Sequence, residues 1–160
     1  ILPKVYGGFG TSLKVYGFDF SISFAYQLGG RMIDNTYADL MSDEAMGHAL
    51  HVDMLNAWTP ENRNTDVPRM NANNVYTTYT SDRWLTSSNY LSLQNITFGY
   101  TLPKKWTRKL QIEGVRLFFV ADNVALWTAR KGFDPRQGYV STDNVYSPIR
   151  TISGGISLDF

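Results

Sequence analysis

The stretch "GFDFSISFAYQLGG" leaves few folds open. Phe18, Phe20, Ile22, Phe24, Tyr26 and Leu28 share one parity, while Asp19, Ser21, Ser23, Ala25 and Gln27 share the other. Strict alternation of this kind marks a strand with one apolar and one polar face. A helix would scatter the same rings around its whole surface. The final "RTISGGISLDF" repeats the pattern, with Ile152, Gly154, Ile156, Leu158 and Phe160 set against Thr151, Ser153, Gly155, Ser157 and Asp159. Chain ends are commonly polar and frayed. This one reads as paired and half buried down to its last residue.

Three further segments read as strands, giving about five in all. "KVYGGFGTSLKVY" alternates loosely through Val5, Phe9, Leu13 and Val15, and a short link joins it to the first stretch as a hairpin. The link is not a standard two-residue turn sequence. In "NYLSLQNITFGYTLP", Leu91 and Leu93 share one parity and Ile96, Phe98, Tyr100 and Leu102 the other, so a β-bulge is expected near Gln94 and Asn95. "VRLFFVADNVALW" is a strand with poor alternation. The connections run short, long, short, long. The first long one, 31–88, is polar and irregular around "WTPENRNTDVP". Its early part is expected to hold one or two short helices, with Met46, Ala49, Leu50 and Leu55 mainly on one side. The second long connection is 128–148. Antiparallel neighbours place alternate connections at opposite ends. Both short turns therefore share one end and both long loops the other, as in outer-membrane barrels.

Composition removes several classes. The formal net charge of +1 and the absence of a basic run argue against nucleic acid. With no cysteine, disulfides, thiolate chemistry and cysteine–zinc sites are excluded. No apolar run approaches the ~18 residues of a membrane helix, a test that transmembrane strands escape. "ILPKVYGGFG" has no basic start followed by an apolar core, so it reads as the entry to a strand. Any export signal would lie upstream.

Five strands cannot close a lipid-exposed barrel, and an open edge in lipid leaves backbone groups unsatisfied. A membrane reading therefore makes this a portion of a longer chain, with its missing strands upstream. At this point the blocks "PKVYGGFGTSLKVYGFDFSISFAYQLGG", "ALHVDMLNAWTPENRNTDVPR", "YLSLQNITFGYTLPKKW", "DNVALWTARKGFDP" and "GGISLDF" resemble, in order, the carboxy-terminal end of SusC/RagA-type TonB-dependent transporters of Bacteroidetes. The resemblance implies an all-β fold, residues 1–160 being the last antiparallel strands of a transmembrane barrel of about 22 strands. It implies an outer-membrane location and extracellular loops at 31–88 and 128–148. It implies TonB-driven import of an oligomeric nutrient, a glycan or a peptide, with no bond broken. The implied partners are a SusD-like surface lipoprotein, the TonB complex acting through a part outside this sequence, outer-membrane lipid and the barrel-assembly machinery. Ile156, Leu158 and Phe160 would carry the assembly signal. The ending "LDF" departs from the Thr-Phe or Asn-Phe of many relatives but keeps the aromatic.

The chemistry-bearing residues are weighed against plainer roles. His48 and His51, with Asp53 nearby, fall short of the ligands a zinc site needs, so no metal and no cofactor is expected. No pair of carboxylates has a spacing the sequence fixes, and "GGFGTS" lacks the ending of a phosphate loop, so no enzyme is expected. Asp122, Asn123, Arg130, Lys131 and Asp134 would contact ligand, plug or lid, or else order their loop through Asp and Asn turn chemistry, the reading favoured here. The loop aromatics Trp58, Tyr76, Tyr79, Trp84 and Tyr139 are the ligand-contact candidates. They would stack on sugar rings or grip a peptide, or else pack the loops. Trp106 in "LPKKWTRK" reads as an interfacial anchor on a periplasmic turn, the reading the five-strand register favours over a basic membrane-binding helix. The alternative to the transporter is a secreted soluble β-sandwich that binds carbohydrate, although sandwiches commonly show more strands and regular turn signals.

Overall fold

The computed structural model describes residues 2–42, 47, 49–71, 81–108, 112–130, 132–137 and 148–159. The chain divides into two units: Ile1–Arg31 with Ser87–Phe160, and Met32–Thr86.

The first unit is a five-stranded antiparallel meander. Its strands are β1 (Val5–Val15), β2 (Phe18–Leu28), β5 (Tyr90–Thr101), β6 (Gly114–Thr128) and β7 (Thr151–Asp159), in spatial order β1-β2-β5-β6-β7. Two short strands not anticipated from the sequence, β3 (Arg31–Ile33) and β4 (Leu85–Ser87), pair with each other. Register sorts the side chains of the large sheet onto two faces. Leu13, Phe20, Phe98, Phe119 and Gly154 lie on one cross-strand row, and Thr11, Ile22, Ile96, Ala121 and Ile152 on the next. Ser12, Ser21, Thr97, Val120 and Ser153 form the row between them on the opposite face.

The parity switch in β5 is a bulge. Ser23 faces Asn95 but Phe24 faces Leu93, so Gln94 is the extra residue. The slip keeps Leu91 and Leu93 on the same face as Ile96 and Phe98. A matching irregularity lies in β6, where Asn95 faces Asp122 and Leu93 faces Ala125. Asn123 there takes φ 50°, a left-handed value that asparagine tolerates better than most residues. The poor alternation of β6 has this cause.

Both short connections close the same end of the sheet. Tyr16 (φ 48°) and Gly17 (φ 89°) are both left-handed, as a type I′ hairpin requires. A Cβ on Gly17 would stand 2.7 Å from the Thr101 carbonyl oxygen, which belongs to backbone and cannot swing away. Gly17→Ala is therefore expected to lower the stability of the sheet by about 1–3 kcal/mol, read as a lower denaturation midpoint. The other short connection carries α2 (Lys104–Thr107), with Thr107 buried beneath it.

The apolar face of the sheet is bare. Phe9, Leu13, Phe18, Phe98, Phe119, Trp127, Ile152 and Ile156 are 44–66% exposed. The rings still pack along the face, with Phe9 stacked on Phe24 at 4.9 Å and Phe18 tilted against Tyr100 at 4.3 Å. A sandwich needs a second sheet on this face, and the other sheet among the described residues is the three-residue pair β3–β4. The secreted sandwich expected as the alternative therefore lacks its second layer.

The second unit has a small core of Met41, Met54, Ala57, Val67 and Trp84, with Tyr37 and Ala38 packed against it. Among the described residues it holds α1 (Asn35–Leu40) and two 3-10 turns, Val52–Asn56 and Asp82–Trp84. Asp34 caps α1 by accepting from the Tyr37 N–H at 3.0 Å. The apolar side expected from Met46, Ala49, Leu50 and Leu55 is not the core. Leu55 is 87% exposed, Ala49 and Leu50 are exposed, and Met46 lies outside the described residues. Among the described residues, α1 ends at Leu40 and the 3-10 turn begins at Val52, so Ala49 and Leu50 lie in neither. "WTPENRNTDVP" orders itself locally. Asn62 donates to the Asn56 side chain at 3.0 Å, and the Thr65 hydroxyl donates to the Asn56 carbonyl at 2.7 Å.

Candidate functional site

The polar face of the large sheet carries the organised chemistry of the first unit. Near the short-turn end, Asp19 on β2 and Arg116 on β6 meet across β5. The Arg116 Nε donates to Oδ1 at 3.2 Å and Nη2 donates to Oδ2 at 2.5 Å. Two strand spacings separate them, and Gly99 supplies the gap: a Cβ there would stand 2.5 Å from the Asp19 carboxylate and 2.7 Å from Nη2. The guanidinium also lies 5.9 Å from the centre of the Phe118 ring, which accounts for an aromatic on the polar parity.

Farther along, the Asn95 amide donates to Asp122 at 2.7 Å and the Thr97 hydroxyl donates to Asn95 at 2.9 Å. These groups tie β5 to β6 beside the paired bulges. At the long-loop end, the turn Asp134–Pro135–Arg136 folds back onto the sheet. The Arg136 backbone N–H donates to Asp134 Oδ1 at 3.0 Å, and its Nε and Nη2 grip the same carboxylate at 2.9 and 2.7 Å. Its Nη1 donates to the fully buried Ser92 hydroxyl at 3.1 Å. The bonds to Asp134 hold the Arg136 guanidinium above the ordinary arginine range, so it stays charged wherever the protein folds. Beside the turn is a cleft of about 420 Å³ bordered by Leu126, Thr128, Phe133, Asp134 and Arg136.

This turn is the loop's anchor. Arg136→Ala would leave the Asp134 carboxylate, 7% exposed, and the Ser92 hydroxyl without their main partner. A loss of about 2 kcal/mol is expected, local to the loop. Faster proteolytic cleavage within 129–137 with an unchanged global midpoint is the result to look for.

On this face the Asp19 and Arg116 charges are paired, and the Asn95 amide is shared with Asp122 on the next strand. The predicted site residues that are described lie off this face. Trp58 is 37% exposed in the second unit, its backbone N–H donating to the Val67 carbonyl at 2.9 Å. Trp84 is 4% exposed in the core of that unit, with the Arg83 guanidinium 4.8 Å from its ring centre. Tyr76, Tyr79, Tyr139 and Phe160 lie outside the described residues. Ile156 and Leu158 stand on the apolar parity of β7, both exposed.

Of the histidines, His48 lies outside the described residues. His51 caps the 3-10 turn through an Nδ1 that accepts from the Asp53 N–H at 3.2 Å, and Asp53 accepts from the Tyr37 hydroxyl at 2.7 Å. Asp134 orders its own turn, in line with the turn reading; Asp122 and Asn123 instead lie inside β6, where Asp122 accepts from Asn95 on β5 and the Asn123 amide donates to the Ile149 carbonyl at 3.3 Å. The Asp19–Arg116 pair and the Arg136–Ser92 bond were missed. The first had a signal: both residues sit on the polar parity at the same end of their strands, with a glycine between them.

Comparison with known proteins follows the same outline. No family model matches the chain. It is similar to TonB-dependent receptor P3 of Formosa agariphila, 32% identical over 170 residues that cover 99% of this chain and 16% of the relative. It is also similar to TonB-dependent receptor P26 of the same organism, 23% identical over 175 residues and covering 17% of it. Among solved structures, the RagAB peptide transporter matches with a TM-score of 0.85 and 30% identity over 99% of this chain. The RagAB peptide importer in its "open-open" state matches with a TM-score of 0.82 and 29% identity over the whole chain. The chain spans 17% of each of those structures.

Proposed function

We infer function from a premise now in hand: this chain belongs to the SusC/RagA-type TonB-dependent receptors, as a carboxy-terminal portion of one. Its proposed role is to build wall and loops for the TonB-dependent import of an oligomeric nutrient across the outer membrane. One observation carries this reading. The sheet has a bare apolar face and a polar face tied by cross-strand bonds, with both short turns at one end and both long connections at the other. Lipid covers the first face, and the passage or plug meets the second.

The remaining assignments rest on that frame. Residues 31–88 and 128–148 are extracellular loops, and the end with the short turns is periplasmic. β1 and β7 have one neighbour each among the described residues, so each pairs with a further strand to close the edge. Ile156, Leu158 and Phe160 carry the assembly signal. A SusD-like surface lipoprotein covers the extracellular side, a partnership supported by the likeness to RagAB complexes. That neighbour is named for peptides, which makes peptides the first substrate class to assay and glycans the second. Of the candidate loop aromatics among the described residues, Trp58 is exposed and is the first to test for ligand contact, while Trp84 is buried.

The test is the full-length receptor from native membranes, run on denaturing gels with and without boiling and assayed for energised uptake. A band whose mobility shifts on boiling, with uptake lost when TonB is absent, is the expected result. A soluble product unchanged by heat would overturn the reading.

A further inference from the structure

The short-turn end holds a feature that nutrient import does not use. α2 and the residue after it present Lys104, Lys105, Trp106 and Arg108 to solvent, Trp106 being 64% exposed, while Thr107 is buried beneath. The neighbouring hairpin presents Tyr16, 96% exposed. Just inside this rim the apolar face begins, with the Phe18 and Tyr100 rings 4.3 Å apart and tilted. An indole and a phenol beside an apolar band suit the headgroup level of a bilayer. Three exposed cations on one turn of helix do more than anchor.

The acids at this end do not cancel them. Asp19 is taken by Arg116. Asp159 stands on the polar parity opposite Gly114, its Oδ2 3.1 Å from where a glycine Cβ would be. Glu113, bound through its backbone N–H to the Asp159 carbonyl, is exposed, as is Asp159, so two carboxylates stand against three cations among the described residues, and only Glu113 lies off the polar parity. Lys14 is on the parity of Asp19 and adds nothing to the lipid side.

We propose that this rim is a binding surface for anionic phospholipid headgroups in the leaflet next to the short turns, with Lys104, Lys105 and Arg108 holding the phosphate and Trp106 the glycerol and upper chain region. The inference rests on the membrane-barrel reading above. Charge complementarity selects the occupant: a zwitterionic headgroup offers the cations no net attraction, and an anionic one does.

The test uses the full-length receptor carrying this chain, reconstituted with an equimolar mixture of phosphatidylethanolamine and phosphatidylglycerol. The lipid retained through detergent washing is counted by mass spectrometry. The wild type is expected to hold about three- to five-fold more phosphatidylglycerol than the variant with Lys104→Gln, Lys105→Gln and Arg108→Gln. Lys104→Arg with Lys105→Arg keeps the excess. The excess shrinks as salt is raised from roughly 0.05 to 0.5 M. Equal retention by wild type and triple variant, both heat-modifiable, overturns this inference and leaves the barrel reading standing. So does loss of the excess to inorganic phosphate at matched ionic strength, which would mark a site for free anions. A receptor that inserts into no bilayer overturns the barrel reading itself.

Discussion

An arginine at Ile22 is expected to destabilise the receptor in a bilayer by about 2–4 kcal/mol, while an arginine one residue earlier, at Ser21, costs little. Ile22 lies near the middle of β2, between Thr11 and Ile96 on the apolar face. Its neighbours there are side chains that only lipid would cover. Ser21 lies between Ser12 and Thr97 on the polar face. The two changes add the same charge to the same strand, so the difference between them reports the environment of each face. In a water-soluble sheet the ranking reverses, because an exposed isoleucine gains nothing from water and an arginine is hydrated at once. Urea-induced unfolding from lipid vesicles, followed by gel mobility, measures both. A smaller loss at Ile22 than at Ser21 would remove lipid from the apolar face and the membrane reading with it.

That experiment works because the faces of the sheet follow from alternation alone. β2, β5 and β7 could be assigned residue by residue, and the bulge at Gln94 announced itself as a change of parity. β6 was harder for a physical reason. Its own irregularity at Asn123 shifts the parity halfway, and Phe118 sits on the polar face where the Arg116 guanidinium covers it. Pattern reading assumes one face per parity and one environment per face, and β6 breaks both assumptions in fifteen residues.

Contacts between strands needed the register before they could be seen. Asp19 and Arg116 are 97 residues apart, and nothing local to either predicts the other. Once β2, β5 and β6 are aligned, the pair and the glycine between them fall on neighbouring positions. The anchor from Arg136 to Ser92 was less accessible still, because it depends on how a loop folds back and not on any strand.

The second unit resisted for another reason, and it supplies the other large effect. Its core residues Met41, Met54, Ala57, Val67 and Trp84 are spaced irregularly, so no period of 2 or 3.6 picks them out. Trp84 is the largest of them, and it closes a core too small to have alternatives. Trp84→Ala is expected to cost about 3–5 kcal/mol of that unit's local stability. Much of that cost would come from the cavity left against Met41 and Met54 and from the Tyr37 ring, now 6.0 Å from the indole centre, losing its edge contact. Trp84→Phe keeps an aromatic filler and is expected to recover more than half of the loss.

The pair of variants separates packing from recognition. If Trp84 gripped substrate directly, the phenylalanine variant would keep the unit folded and still bind substrate poorly. If it only packs, binding follows stability: lost with alanine, largely restored with phenylalanine. Trp58→Ala provides the contrast, because the Trp58 ring is part exposed and lies outside that core cluster. It is expected to leave hydrogen exchange across residues 32–71 near the wild-type level while lowering substrate affinity several-fold, as loss of one stacked ring would. Exchange mass spectrometry and a binding isotherm on the three variants decide the matter. Unchanged affinity in Trp58→Ala would take Trp58 out of ligand contact.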